Sequence, residues 1–284
     1  MSDPLLEVRD LWVRFPTRQG IFDAVRGISF QLGRERLGIV GESGSGKSMT
    51  GRAILRLIRP PGIVEAERIA LQGANLPDLD EPAMREVRGQ QISMVMQDPK
   101  FSLNPVMRVG DQLAEAYLLH NEGGRRAARL KALEMLEAVS INDPERVMRA
   151  YPHEVSGGMG QRIMIAMMLI PNPQILIADE PTSALDVSVQ RQVLSIMDGL
   201  VRERGMGLIF ISHDLNLVAD FCDRVLIMYS GRVVEVCDAA KLQQATHPYT
   251  RGLLDALPRL DDPVRKLAVL KRDAAWADAP SVAS

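Results

Sequence analysis

Apolar and polar residues alternate along Leu6, Val8, Leu11, Val13 and Phe15, and again along Val25, Ile28, Phe30 and Leu32. A period of two predicts antiparallel strands with one buried face, so the chain opens with a small β layer. Leu37-Gly38-Ile39-Val40 is an unbroken apolar run and reads as a buried strand. The period then lengthens. Ala53, Ile54, Leu57 and Ile58 fall at helical spacing, which predicts a helix from Ser48 to Ile58, stopped by Pro60-Pro61-Gly62. Between 98 and 162 the pattern gives two helical stretches, about Val109 to His120 and Arg125 to Ser140, joined by Asn121-Glu122-Gly123-Gly124, and no convincing strand. Strand runs return as Ile175-Leu176-Ile177-Ala178, Leu208-Ile209-Phe210-Ile211 and Val225-Leu226-Ile227-Met228, with helical periodicity around Val189 to Val201. Alternating β and α implies a parallel sheet. Ser230-Gly231 reads as a hairpin turn into Val233-Val234-Val236, and the last dozen residues, rich in Ala, Asp and Ser, are expected to fray.

The first chemistry lies where the apolar run ends. Gly41-Glu42-Ser43-Gly44-Ser45-Gly46-Lys47-Ser48 is a complete phosphate-binding loop between a strand and a helix, with Met49 next in the helix. Its glycines let successive N–H groups turn inward onto β- and γ-phosphates, Lys47 adds a mobile positive charge, and the Ser48 hydroxyl suits Mg²⁺. A second anion-binding signature, Val155-Ser156-Gly157-Gly158-Met159-Gly160-Gln161-Arg162, precedes an apolar helical run; Ser156 is a good N-cap and the helix start favours an anion. The strand Ile175 to Ala178 ends in Asp179-Glu180. An aspartate there can hold Mg²⁺ through water, and the adjacent glutamate can polarise an attacking water as general base. Pro181-Thr182-Ser183-Ala184-Leu185-Asp186 follows, and Ser212-His213-Asp214 closes the next strand, at the sheet edge where ligands collect.

Composition narrows the classes. With 284 residues, 46% hydrophobic and 25% charged, the chain can bury a large core. A formal charge of −2 leaves no global basic field, and no basic stretch is interleaved with aromatics, so nucleic acid is not an expected partner. Cys222 and Cys237 are isolated in apolar surroundings and read as buried free thiols. Met1-Ser2-Asp3-Pro4 lacks the build of a signal peptide, and the richest apolar region, Ile163 to Ala178, is broken by Pro171, Asn172 and Pro173, short of the ~20 residues of a membrane span. Membrane association is expected to come through a partner. His120, His153 and His247 are scattered and suggest no metal site; Met164, Met167 and Met168 read as helix core; Arg125, Arg126 and Arg129 read as a solvated face that anionic lipid could meet.

Taken together, these residues resemble the nucleotide-binding subunit of an ABC transporter, over roughly residues 5 to 257. The resemblance implies an α/β fold: a P-loop, RecA-like core with a mostly parallel sheet, an N-terminal antiparallel β layer and an α-helical insert. The implied division places the catalytic core at 1–97 and 163–240, a helical signature subdomain at 98–162, and a C-terminal extension with a frayed tail at 241–284. ATP and Mg²⁺ are the implied cofactors, held by Gly41, Ser43, Gly44, Ser45, Gly46, Lys47, Ser48 and Met49. Phe15 stands at the position of an aromatic that stacks on adenine, although Trp12 and Phe22 lie nearby and any of the three also suits plain packing. By the same resemblance Gln97 senses Mg²⁺ and the attacking water, Asp179 is the magnesium aspartate, Glu180 the catalytic base and His213 the γ-phosphate switch. Asp186 belongs to a loop that crosses a dimer, and Ser156, Gly157 and Gly158 contact the ATP held by the other subunit. Met159 stands where many members carry glutamine, which leaves the anion-binding atoms of Ser156 and Gly158 unaffected.

Ser-Gly-Gly-Met, the stretch from Gln97-Asp98-Pro99 to Asn104-Pro105, Tyr151-Pro152-His153-Glu154 and the tail His247-Pro248-Tyr249-Thr250-Arg251-Gly252-Leu253-Leu254 are similar to the peptide and nickel importer branch. Unlike many of that branch, the chain has no cysteine after Cys237. The implied function is an ATPase that powers import of di- or oligopeptides from the cytoplasmic face of the inner membrane. Its implied partners are a second nucleotide-binding subunit, identical or homologous, two transmembrane permease subunits and, indirectly, an extracellular solute-binding protein. Nickel or another small solute is the alternative cargo; a soluble ABC ATPase without a transport role is the alternative class.

Overall fold

The opening alternation slips phase, from Leu6 and Val8 to Leu11 and Val13, and the slip is a β-bulge. In the computed structural model, β1 (Leu6–Thr17) pairs antiparallel with β2 (Gly20–Leu32), Val8 opposite Phe30 but Leu11 opposite Ile28, so β1 carries one extra residue. Asp10 absorbs it at φ 47, a conformation its short polar side chain tolerates. Leu6, Val8, Leu11 and Val13 all end at 1% exposure or less, on one face. The structure describes residues 4–97, 102–183, 185–256, 273, 275–278 and 280–282. Met1, Ser2, Asp3, Asp98, Pro99 and Ala184, named above, lie outside the described residues, as do 100–101 and 257–272.

The chain divides into two units, one formed by Met1–Asp78 with Ile209–Ser284 and the other by Leu79–Leu208. In the first, β1 and β2 are joined by β4 (Ile63–Glu65), β5 (Arg68–Leu71) and β6 (Ala74–Asn75) in an antiparallel layer ordered β2-β1-β5-β6, with β4 on β1. β3 (Arg36–Val40) is the buried strand expected before the phosphate loop. The helix after that loop runs Lys47–Ile54, ending four residues before its apolar spacing predicts. Arg56 takes φ 54, Arg56 N–H donates to Ala53 O and Leu57 N–H to Arg52 O. That double bond is a Schellman cap, which closes the helix while leaving Leu57 43% exposed.

The second unit holds β7 (Ile92–Val95) and β8 (Ile175–Asp179), paired in parallel. Its helices Val109–Leu118, Arg125–Ala138, Gly157–Leu169 and Val187–Glu203 match the predicted periodic stretches. Two more, Glu81–Val87 and Pro144–Arg149, are short and start on Asp80 and Asp143, whose carboxylates accept from Ala83 and Arg146 N–H. Val193, Leu194, Met197, Leu200 and Val201 form the buried stripe of Val187–Glu203. Ile163, Met164, Ile165 and Ala166 are all fully buried, but Met167 and Met168 are half-buried, so of the three methionines read as helix core only Met164 lies wholly within it.

β9 (Gly207–Ser212) enters the first unit at Ile209, and β10 (Arg224–Tyr229) and β11 (Arg232–Asp238) follow, in the order β11-β10-β3-β9. β10 is parallel to β3 and forms the predicted hairpin with β11, its turn residues Ser230 and Gly231 at φ 47 and 82, as a type I′ turn requires. Helix Leu215–Phe221 lies against β3, where Val218 and Cys222 close over Gly38. Cys222 and Cys237 are both free, and burial pushes both thiols up, that of Cys237 to about 11. Helix Pro248–Asp255 is capped by His247, whose Nδ1 accepts from Tyr249 N–H. Among the described tail residues, Ser281 Oγ donates to Arg26 O at 3.0 Å and Val282 N–H to Val233 O at 2.8 Å. No described helix is long and apolar enough to cross a membrane.

Candidate active site

In the first unit, β3 delivers the chain into the loop at Gly41, and the loop closes on itself. Ser45 N–H donates to Glu42 O at 3.2 Å, and Gly231 N–H donates to Ser45 O at 3.0 Å. Gly46 is the N-cap of the following helix at φ 100, a conformation open to glycine; a Cβ there would lie 2.4 Å from Ala24 O. Because the obstructing atom is backbone, Gly46→Ala must displace the loop. The expected cost is about 1–3 kcal/mol, with ATP affinity down at least ~10-fold, measured by nucleotide titration beside a melting curve. Lys47 is 5% exposed, and its Nζ donates to Gly41 O at 2.8 Å and Glu42 O at 2.9 Å. Glu42 N–H donates to the hydroxyl of Tyr249 at 3.1 Å. Ser45 is 4% exposed and its Oγ is a buried hydroxyl with no hydrogen-bond partner, the orphan a phosphate oxygen would satisfy. Ser43 and Gly44 are exposed at the loop's tip; Ser48 and Met49 are half-buried.

Phe15 is half-buried on β1 opposite Phe22, which is 56% exposed, and its ring borders Gly62. Trp12 has other work: its Nε1 donates to Asp10 at 2.9 Å and the Arg14 guanidinium covers its ring at 4.5 Å. His213 is exposed just past β9, between Ser212 and Asp214; the Asp214 carboxylate accepts from Leu217 N–H and caps helix Leu215–Phe221.

In the second unit, Asp179 ends β8 at 3% exposure, and Glu180 leaves the strand at φ 47. This left-handed conformation, shared with Asp10, Arg56 and Ser230, costs about 1–3 kcal/mol in a non-glycine residue. Ser183 secures the turn, donating N–H and Oγ to Glu180 O at 3.3 and 3.2 Å. The turn aims the carboxylate at Gln97, whose Nε2 donates to Glu180 Oε2 at 3.1 Å across 83 residues of sequence. Ser156 is the N-cap of helix Gly157–Leu169, its Oγ accepting from Met159 N–H at 3.3 Å, and both Ser156 and Gly157 are exposed. Gly158 is pressed against helix Val187–Glu203: a Cβ would stand 2.7 Å from Val189 Cγ1. Asp186 caps that same helix, accepting from Ser188 N–H at 3.1 Å, Val189 N–H at 3.0 Å and Ser188 Oγ at 2.6 Å. Those bonds, the Ser188 hydroxyl foremost, hold its carboxyl below the usual range. Its side chain therefore has a local task that the motif alone does not reveal.

The family model described as "ABC transporter" matches residues 25–183, from β2 through the Asp179-Glu180 turn. The chain belongs to the ABC transporter family. As an ATP-binding cassette of that family it is an ATPase. "Oligopeptide transport ATP-binding protein OppD" of Bacillus subtilis (strain 168) is 48% identical over 260 residues, 90% of this chain and 73% of that protein. "Dipeptide transport ATP-binding protein DppD" of the same organism is 47% identical, covering 91% of this chain and 78% of the relative. Among solved ABC structures, the dimeric cassette MJ0796 matches at TM-score 0.73 and 27% identity, over 82% of this chain and 98% of that one. A post-hydrolysis MJ0796 dimer bound to ADP and Pi matches at 0.74 and 26% identity, with the same coverage. The α/β cassette fold expected from the sequence is thereby shown.

Proposed function

We propose that this ABC ATPase drives import of di- or oligopeptides through separate membrane subunits, working as one half of a head-to-tail pair of cassettes. The observation that carries the hydrolytic part is Glu180, turned out of β8 at φ 47 with its carboxylate bonded to Gln97. A carboxylate so held accepts the proton of a water as that water's oxygen attacks the γ-phosphorus; the bond to the leaving oxygen breaks, giving ADP and phosphate. Gln97 orients the base and the water. The loop N–H groups from Ser43 to Met49 and Lys47 hold the β- and γ-phosphates, with the Ser45 hydroxyl finding its partner there. Phe15 stacks on adenine, and His213 reads the γ-phosphate. Ser48 in the first unit, and Gln97 and Asp179 in the second, each carry a hard oxygen of the kind that suits Mg²⁺, which would supply charge neutralisation to the phosphates when bound.

Exposed Ser156 and Gly157 at a helix start suit contact with a triphosphate held by another chain, and Asp186 fixes the loop beside them. The second cassette is identical or homologous. Two permease subunits, served by an extracellular solute-binding protein, complete the assembly, and this chain sits peripherally on the cytoplasmic face of the inner membrane. Peptide cargo is supported by the names of the relatives above. Reconstituted with its permeases, the chain is expected to hydrolyse ATP faster when the binding protein carries a peptide. Stimulation by a nickel chelate and not by peptides overturns the cargo.

A further inference from the structure

We infer that Tyr249 is a positioning residue for the phosphate loop, and that the C-terminal segment around Trp276 holds it in place. This rests on the ATPase reading and adds a part that the matched family region does not contain, since both residues lie beyond 25–183. Tyr249 is fully buried, and a buried phenol needs a polar partner. Its hydroxyl takes the N–H of Glu42, the loop's second residue, at 3.1 Å. The other end of that residue is equally committed: Glu42 O receives Lys47 Nζ at 2.9 Å and Ser45 N–H at 3.2 Å. Tyr249 therefore sets the orientation of the residue whose carbonyl aims the lysine.

Tyr249 is itself fixed from several sides. Its own N–H donates to His247 Nδ1 at 3.2 Å, and Glu235 Oε1 anchors the approach, accepting Thr246 N–H at 2.7 Å and His247 N–H at 3.2 Å. Tyr229 lies against its ring at 4.6 Å between centroids. Trp276 adds a third ring, 6.1 Å from Tyr249, 5.9 Å from Tyr229 and 5.9 Å from His247. Five and six residues beyond Trp276, Ser281 Oγ donates to Arg26 O on β2 and Val282 N–H to Val233 O on β11. The run is continuous: Trp276 to Tyr249, Tyr249 to Glu42, Glu42 to Lys47.

Bound phosphates and the Tyr249 hydroxyl both hold the loop in shape, so losing the hydroxyl is felt in binding and not in the chemical step. Tyr249→Phe keeps the ring and its packing. In the full-length chain, KM for ATP and the Kd of a fluorescent ATP analogue are expected to rise about 5-fold, the scale of one hydrogen bond, with kcat changed less. Trp276→Ala is expected to shift both in the same direction, and the double variant to lose clearly less affinity than the two single losses combined, because the tryptophan acts through the tyrosine. An unchanged KM and Kd in Tyr249→Phe, or a lower melting temperature alone, overturns the inference. Fully additive effects in the double variant remove Trp276 from it. A wild-type chain that binds no ATP would instead defeat the ATPase reading, leaving the two failures distinct.

Discussion

Glu180→Gln is expected to bind ATP with near-normal affinity and to hydrolyse it at least ~100-fold more slowly, the scale of losing a general base. The substitution is close to isosteric. The amide oxygen can still accept from Gln97 Nε2, now 3.1 Å from Glu180 Oε2, and Ser183 still bonds the carbonyl of residue 180. The left-handed turn at φ 47 is a backbone feature and is kept. Only basicity is removed, because an amide cannot take the proton of the attacking water. Single-turnover hydrolysis beside equilibrium ATP binding separates the two effects. Unchanged turnover removes Glu180 from its role; a matching loss of binding makes the residue structural.

Local motifs carried most of this site into view from the sequence. The loop from Gly41 to Ser48, the cap at Ser156 and the strand end at Asp179 are each contained in a few consecutive residues, and local chemistry gives each its meaning. The Gln97 to Glu180 bond spans 83 residues and entered only through the family resemblance. Tyr249 bonds the loop from 207 residues away, and its motif spoke only of the importer branch. Elements follow the same division. Helix Val187–Glu203 ends in a Schellman cap at Gly205, φ 59, a residue whose freedom marks a stop. The helix after the phosphate loop ends in the same cap built on Arg56, which carries no such signal, so apolar spacing overran it by four residues. Strands β4 to β7 are four residues or fewer, too short to show a period, and Ile92–Val95 is buried throughout, as a core helix segment would be. In the tail, whose small polar composition suggests fraying, composition gives no sign that the Trp276 ring lies 5.9 Å from both Tyr229 and His247.

A chain carrying Ser156→Arg is expected to bind ATP and lose at least ~100-fold in turnover, yet to be rescued by a chain that cannot bind ATP at all. Ser156 lies at an exposed helix start where its Oγ caps Met159 N–H, so a bulky cation there changes none of the bonds made within the Lys47 loop. What it removes is the lid offered to a partner's phosphates, a preorganised charge stabilisation of the kind worth ~10²–10³ in rate. Lys47→Ala has the opposite defect: the buried Nζ bonding Gly41 O and Glu42 O is gone, while the lid is sound. Each variant alone assembles two defective sites. Mixed in equal amounts, half of the pairs contain one of each, and every such pair joins an intact loop to an intact lid at one of its two sites. Two-fold symmetry then sets the expected activity at about one quarter of wild type. Self-sufficient cassettes would give none, because neither variant can repair its own missing part. Activity that stays at the level of the separate variants therefore sinks the shared site, whereas rescue requires that Ser156 act on a nucleotide held by a different chain.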